Sequence, residues 1–297
     1  MTTSQSARPV AGTDWPLVVS KITRILGKII IYIVLAIGAV IFSLPFLWML
    51  STSLKPEYLA YRVPIVWIPP ELEFNHYISS WSILPFPLFY RNTIIITAAN
   101  MTGIVLSSSL VAFGFARVRF WGRDTIFLIL LATMMLPGQV TLIPLYLIWA
   151  RAGLVNTFWP LIIPQWLTNA YNVFLLRQFF MTISTEMDDA ARMDGAGWFT
   201  IYSRILMPLA KPALGVIAIQ AFAWNWNNFM EPLIYLNEPK NFTIAIGLRL
   251  FQTQQSQKMP ETMAMSVVAL IPVLIMFFIA QRRFIQGIVI TGVKGID

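Results

Sequence analysis

The sequence predicts an all-α protein built into a lipid bilayer, with six membrane-crossing helices and both chain ends on the cytoplasmic side. Three observations carry this: an excess of apolar residues, six apolar stretches of membrane-spanning length, and an uneven distribution of Lys and Arg between alternate loops. Of 297 residues, 57% are hydrophobic and only 11% are charged, with a mean hydropathy of +0.69. An ordinary globular domain carries about 25% charged residues. A soluble domain of this size has nowhere to hide so much apolar surface, which excludes a soluble enzyme. The absence of Cys and the single histidine, His76, exclude disulfide frameworks, thiolate nucleophiles and histidine-rich metal sites. The net charge of +8 is not gathered into a basic cluster or a nucleic-acid module, so no nucleic-acid partner is expected.

Taken in order, the apolar stretches cover 29–50, 93–115, 125–149, 157–180, 212–236 and 263–280. At about 1.5 Å per residue each can cross about 30 Å of hydrocarbon. Trp48, Trp149, Trp159 and Tyr235 near their ends suit the lipid–water boundary. With a cytoplasmic N-terminus, the inner segments collect Arg8, Lys21, Arg24 and Lys28, then Arg117, Arg119 and Arg123, then Arg177, Arg192, Arg204 and Lys211, then Arg282, Arg283 and Lys294. The outer segments hold half as many: Lys55, Arg62, Arg91, Arg151, Lys240, Arg249 and Lys258. Positive charge concentrates inside.

The expected organisation follows. Residues 1–28 form a cytoplasmic segment whose Val18, Ile22, Ile25 and Ile29 share one helical face and whose Lys21, Arg24 and Lys28 share another, as in a helix lying on the inner leaflet. They lack a cleavage signal, so 29–50 reads as a retained first span. The loop 51–91, rich in proline and aromatics, lies outside. Residues 92–281 hold the other five spans, and 282–297 form a cytoplasmic tail.

The polar heart of the chain is the inner loop 181–210. Glu186 to Met193 are good helix formers with acids in the first turn, where the helix dipole favours them. Gly195 reads as a left-handed stop, Trp198 to Leu206 resume a helix, and Pro208 ends it. Two short helices joined by a sharp turn make a shape for docking into a groove on another protein. Asp188, Asp189 and Asp194 lack further oxygen ligands for a metal and read as acids facing a partner's basic groove.

These residues resemble the EAA loop of bacterial ABC importer permeases of the binding-protein-dependent type. Asp189-Ala190-Ala191 stands where that pattern has Glu-Ala-Ala, Gly195 falls on its glycine, and Ile205 with Met207-Pro208 falls on its Ile-x-Leu-Pro. Asp for Glu and Met for Leu are the departures. Ser53-Leu54-Lys55-Pro56, Pro137-Gly138-Gln139, Trp224-Asn225, Pro232-Leu233-Ile234, Gln281-Arg282-Arg283-Phe284 and the ending from Gly287 through Thr291-Gly292-Val293-Lys294-Gly295 are similar to the sugar-importer subgroup that includes the maltose permease G subunit. The resemblance implies a type I ABC importer permease working by alternating access. It also implies a second permease subunit as partner (a heterodimer), two copies of an ABC ATPase, an external solute-binding protein and a sugar substrate. Glu186, Asp189, Ala190, Ala191, Arg192, Gly195 and Pro208 would form the ATPase-coupling loop. ATP and Mg would sit on the ATPase, with no cofactor on this chain. The residues agree, since Gly27-Lys28 lacks the upstream glycine of a phosphate-binding loop. The chain is expected to have no catalytic residues.

Polar residues within spans are costly and mark pathways or contacts between helices. Gln220, Trp224, Asn227 and Glu231 recur at i, i+4, i+7 and i+11, with Asn228 beside them. Amide, indole and carboxylate groups suit sugar hydroxyls, and bonding between helices stays open as the other reading. Asn172 is a further pathway candidate, whereas Asn100 and Gln139 read as structural. Pro137-Gly138, Pro144, Pro160 and Pro164 mark kinks. His76 reads as a solvated or hydrogen-bonding loop residue. The alternatives are a permease of the same kind for another solute, such as glycerol phosphate, and a self-sufficient secondary transporter. The latter should show internal repeats or ionisable residues deep in several spans, and neither is evident.

Overall fold

The computed structural model describes the backbone of residues 15–254 and 258–292, and side chains within 23–254 and 258–281. The expectations for Arg8, Lys21, Arg282, Arg283, Lys294 and the ending 287–295 rest on side chains or residues outside that range. Among the described residues every regular element is helical.

The first helix, α1 (Trp15–Ser53), is continuous. The inner-leaflet helix and the first span expected as separate pieces are therefore one rod, because nothing between Lys28 and Ile29 breaks a helix. Next come two short helices, α2 (Glu57–Ala60) and α3 (Asn75–Ile83). The long α4 (Phe86–Arg117) starts within the expected outer loop.

Two of the expected spans, read as kinked, each consist of separate helices. The third consists of α5 (Arg123–Ala132), a short 3₁₀ turn, and α6 (Gly138–Arg151), and its two halves meet at 97°. Leu136 is extended at ψ 117°, as a residue before proline prefers. The fourth consists of α7 (Trp159–Trp166) and α8 (Ala170–Thr182). Asn169 restarts the helix there, its side chain accepting from the Asn172 N–H. The loop helices are α9 (Glu186–Met193) and α10 (Trp198–Leu209). Then α11 (Lys211–Asn227) runs at 78° to α10. The chain continues through α12 (Met230–Tyr235), α13 (Ile244–Gln254) and α14 (Met259–Gly292). Among the described residues, three unbroken helices are long and apolar enough to cross a membrane, rising to five if each of two bent pairs counts as one span.

Helix α4, about 48 Å long at 1.5 Å per residue, is the central post. It packs against α7, α8, α11 and α13, while α14 joins α11 to α1 and α3. Near Arg117, Phe113, Phe115, Leu176, Phe180, Ile201, Leu206 and Ile217 form one apolar core. At the Phe86 end, Phe86, Phe89, Trp226, Phe251 and Met265 form another. Gly103 lets α4 approach α7, because a Cβ there would run into the Trp166 indole. Much of α1 and of the broken α5–α6 span is exposed apolar surface, including Ile31, Leu35, Met135 and Ile143. Exposed apolar area of this extent is the kind that lipid or another protein covers.

Candidate coupling hairpin and polar stripe

The hairpin grows from the end of α8. Ser184 Oγ accepts from the Glu186 N–H, and the Thr185 carbonyl accepts from Asp188 and Asp189. Glu186, Asp188 and Asp189 occupy the first turn. After Met193 the helix closes in a Schellman turn, with Ala196 N–H donating to the Ala191 carbonyl and Gly195 N–H to that of Arg192. Gly195 sits at φ +82° with nothing within 4 Å of where a Cβ would be. The glycine is needed for its backbone conformation and not for space.

The second limb lies against α4. Trp198 packs edge-on to Phe113, with ring centroids 6.0 Å apart, and the Arg192 guanidinium lies 3.9 Å above the Trp198 ring. The Tyr202 hydroxyl is 2.8 Å from Ser109 Oγ on α4. Residues Ile201–Leu206 form a π-helical turn just before Pro208, which cannot donate to a carbonyl one turn back.

Of the residues expected to meet an ATPase, Glu186, Asp189, Ala190, Arg192, Gly195 and Pro208 are exposed, while Ala191 is half-buried against the core. Exposed Met187, Met193 and Phe199 accompany them. Asp188 departs from the expectation, because it faces inward. Its Oδ2 is 2.7 Å from Arg117 Nε, and both side chains are only 4% exposed. Helical spacing explains this, since Asp188 and Ala191 are three residues apart and share the core-facing side of α9. Burial pushes the Asp188 carboxyl above its ordinary value, opposed by Arg117 and Arg192, with a smaller upward push from Asp189. Neighbouring Arg177 donates from Nε to the Phe115 carbonyl at 3.4 Å and lies over the Phe127 ring at 4.2 Å.

The expected polar stripe divides. Gln220, Trp224 and Asn227 lie on α11 and are exposed, Trp224 at 69%. Glu231 belongs to the separate helix α12, which restarts after the extended Asn228 and carries Pro232 in its first turn, where proline is tolerated. Asn228, in the break, donates to Glu231 Oε2 at 2.7 Å. Asn172 is buried at the start of α8. Asn100 bridges three elements, its Nδ2 donating to Asn225 Oδ1 at 2.5 Å and to the Leu161 carbonyl at 3.1 Å. Asn225, its partner on α11, is the member of this pair that the spacing argument passed over. Gln139 is exposed beside the α5–α6 bend. No group of His, Asp and Glu able to hold a metal occurs among the described residues.

His76 is buried and not solvated. Its Nε2 is 2.9 Å from the Lys55 carbonyl, and its Nδ1 is 3.7 Å from Glu261 Oε1 on α14. Glu73, three residues earlier, is also within 3.4 Å, so this loop is stapled to the helix bundle.

A family profile described as "Binding-protein-dependent transport system inner membrane component" matches residues 99–290. The arabinooligosaccharides transport system permease protein AraQ of Bacillus subtilis is 31% identical over 86% of this chain and 92% of its own length. The maltodextrin transport system permease protein MdxG of the same organism is 29% identical over 92% of this chain and 98% of its own. Among solved structures, a chain of a bacterial ABC transporter involved in import of the acidic polysaccharide alginate superimposes with a TM-score of 0.75 at 26% identity. That match covers 87% of this chain and 96% of that one.

Proposed function

The chain belongs to the family of binding-protein-dependent transport system inner membrane components, and from that membership we propose that it is a permease subunit of an ATP-driven importer for a sugar or oligosaccharide. Its similarity to permeases named for arabinooligosaccharides and maltodextrin supports the substrate class. Six spans cross the membrane with both termini inside. A second permease subunit pairs with this one, two ATPase subunits bind ATP and Mg below them, and an external binding protein delivers the solute.

The observation that carries this reading is the hairpin. It presents Glu186, Met187, Asp189, Met193 and Phe199 outward while its other side is anchored to α4. An exposed acidic and apolar surface on an anchored base fits a groove with basic and apolar walls on the ATPase. Closure of the ATPases then rocks the spans between outward-open and inward-open states. The exposed face of Gln220, Trp224 and Asn227 supports a solute path between the two permeases. Amides of this kind are costly against lipid, and indole and amide groups together suit a sugar's faces and hydroxyls. The broken helices fit the same reading, since irregular backbone at membrane depth is tolerated where protein or a water-filled cavity covers it.

The test is identification of everything that co-purifies with the chain after gentle extraction from its native membrane. Recovery of an ATPase and a second multi-span subunit is the expected result. Recovery of the chain alone, still moving solute into vesicles without ATP, would overturn the reading.

A further inference from the structure

We propose that Arg117 and Asp188 are positioning residues, a latch that makes the hairpin and α4 one rigid body. Movement imposed on the hairpin is then delivered along α4 and not absorbed in the short link 183–185. The proposal rests on the hairpin being the ATPase docking element.

A two-turn helix such as α9 cannot hold its own shape or direction in water, and it joins its neighbours only through the link after α8 and the Gly195 turn. Its inward polar side chain is Asp188, and Arg117 meets it as the last residue of α4. Besides lying 2.7 Å from Asp188, the Arg117 guanidinium donates from Nη2 to the Ile183 carbonyl at 2.8 Å, just past the end of α8. One planar guanidinium therefore links α4 to the end of α8 by a hydrogen bond and to α9 by an ion pair. A lysine ammonium lacks that spread of donors. Apolar residues could fill the same space without the cost of burying two charges, so the pair contributes a defined register and direction. From Arg117 the rigid path runs up α4 to Asn100, whose bond to Asn225 reaches α11, the helix carrying Gln220, Trp224 and Asn227.

The chain contains no cysteine, so every spin label on it sits at an introduced position. In the complete transporter with its ATPase and loaded binding protein, labels go on Gly197→Cys in the hairpin, an exposed position at φ −75° with nothing within 4 Å of a Cβ, and on Leu110→Cys on α4, 48% exposed. The latch requires one narrow distance that is the same without nucleotide and with ATP trapped. Asp188→Asn should broaden or shift that distance and lower solute moved per ATP hydrolysed about tenfold, while Asp188→Glu should restore both. A distance that changes with nucleotide in the parent overturns the latch, as does an Asp188→Asn complex with the parent's transport per ATP. If Asp188→Asn does not assemble, the parent's labelled pair decides alone. A purified complex lacking any ATPase would overturn the docking reading together with the latch. An ATPase-bearing complex whose labels move apart would overturn only the latch.

Discussion

The hairpin between α8 and α11 and the exposed face of α11 are both polar regions in an apolar chain, but they are completed differently. The hairpin meets its inward groups within the chain: Asp188 is ion-paired with Arg117, although its Oδ1 has no hydrogen-bond partner among the described residues, Tyr202 bonds Ser109, and Arg192 lies on the face of Trp198. The α11 face leaves Gln220, Trp224 and Asn227 exposed, and among the described residues the side-chain bond on that face joins Asn227 to the Ala223 carbonyl of its own helix. A self-completed region is shaped in advance, like a handle. Under the proposed function, a polar face left open on a membrane helix would be half of a site, completed by a neighbour or by solute and water.

If this contrast is right, substitutions that strip a buried partner from the hairpin base cost stability, besides any effect on coupling, and those on the open face leave stability alone and act on transport. The largest effect is expected from Arg117→Ala, which leaves the Asp188 carboxylate buried without its partner. Removing one member of a buried pair costs about 3–5 kcal/mol, so the purified protein should unfold well below the parent temperature in detergent. An unchanged unfolding temperature would break the comparison.

Asn100→Leu comes next. It strands the Asn225 amide in the core at a cost of about 1–3 kcal/mol, measurable as a lower thermal midpoint. Equal stability of Asn100→Leu and the parent would mean that the pair is not the structural tie between α4 and α11.

At Gly195, the left-handed backbone costs an alanine about 1–2 kcal/mol, and the surrounding open space adds no clash. Gly195→Asp also puts negative charge at a helix C-terminus, the unfavourable end of the dipole. Gly195→Asp should reach the membrane in normal amount and fail to drive uptake. Normal uptake by that variant would contradict a coupling role for the turn.

The smallest effect on stability is expected on the open face. Gln220→Ala and Asn227→Ala should stay within about 0.5 kcal/mol of the parent while weakening uptake of the transported sugar. Loss of folded protein with unchanged uptake kinetics would assign those side chains to packing.

The hairpin was legible in the sequence because local rules write it: acids at a helix start, a glycine at a left-handed stop, and a proline near the end of the second limb. The apolar stretches likewise marked where the chain could cross lipid. What stayed hidden depended on distant partners. Nothing local tells that Asp188 turns toward Arg117, 71 positions earlier in the chain, while adjacent Asp189 turns outward. Helical phase against Ala191 separates the two only once the core-facing side of α9 is known. His76 was read without its buried partner Glu261, which comes from a helix near the other end of the chain. The break at Leu136–Pro137 and the one at 167–169, just after Pro164, read as kinks, and the one at 228–229 reads as continuous helix, because hydropathy averages across all three. Proline chemistry locates two of these, and Thr168, at φ +87°, is a backbone outlier that no composition rule anticipates.

The central claim is that the hairpin is the handle an ATPase grips, and site-directed cross-linking tests it most directly. In the cysteine-free chain, one cysteine is placed at Met193 on the hairpin and, in a separate variant, one at exposed Tyr58 in α2. A short cross-linker is then applied to native membranes. The account predicts that the ATPase subunit is captured from position 193 and not from position 58. Capture from 58 alone, or equally from both, would contradict it.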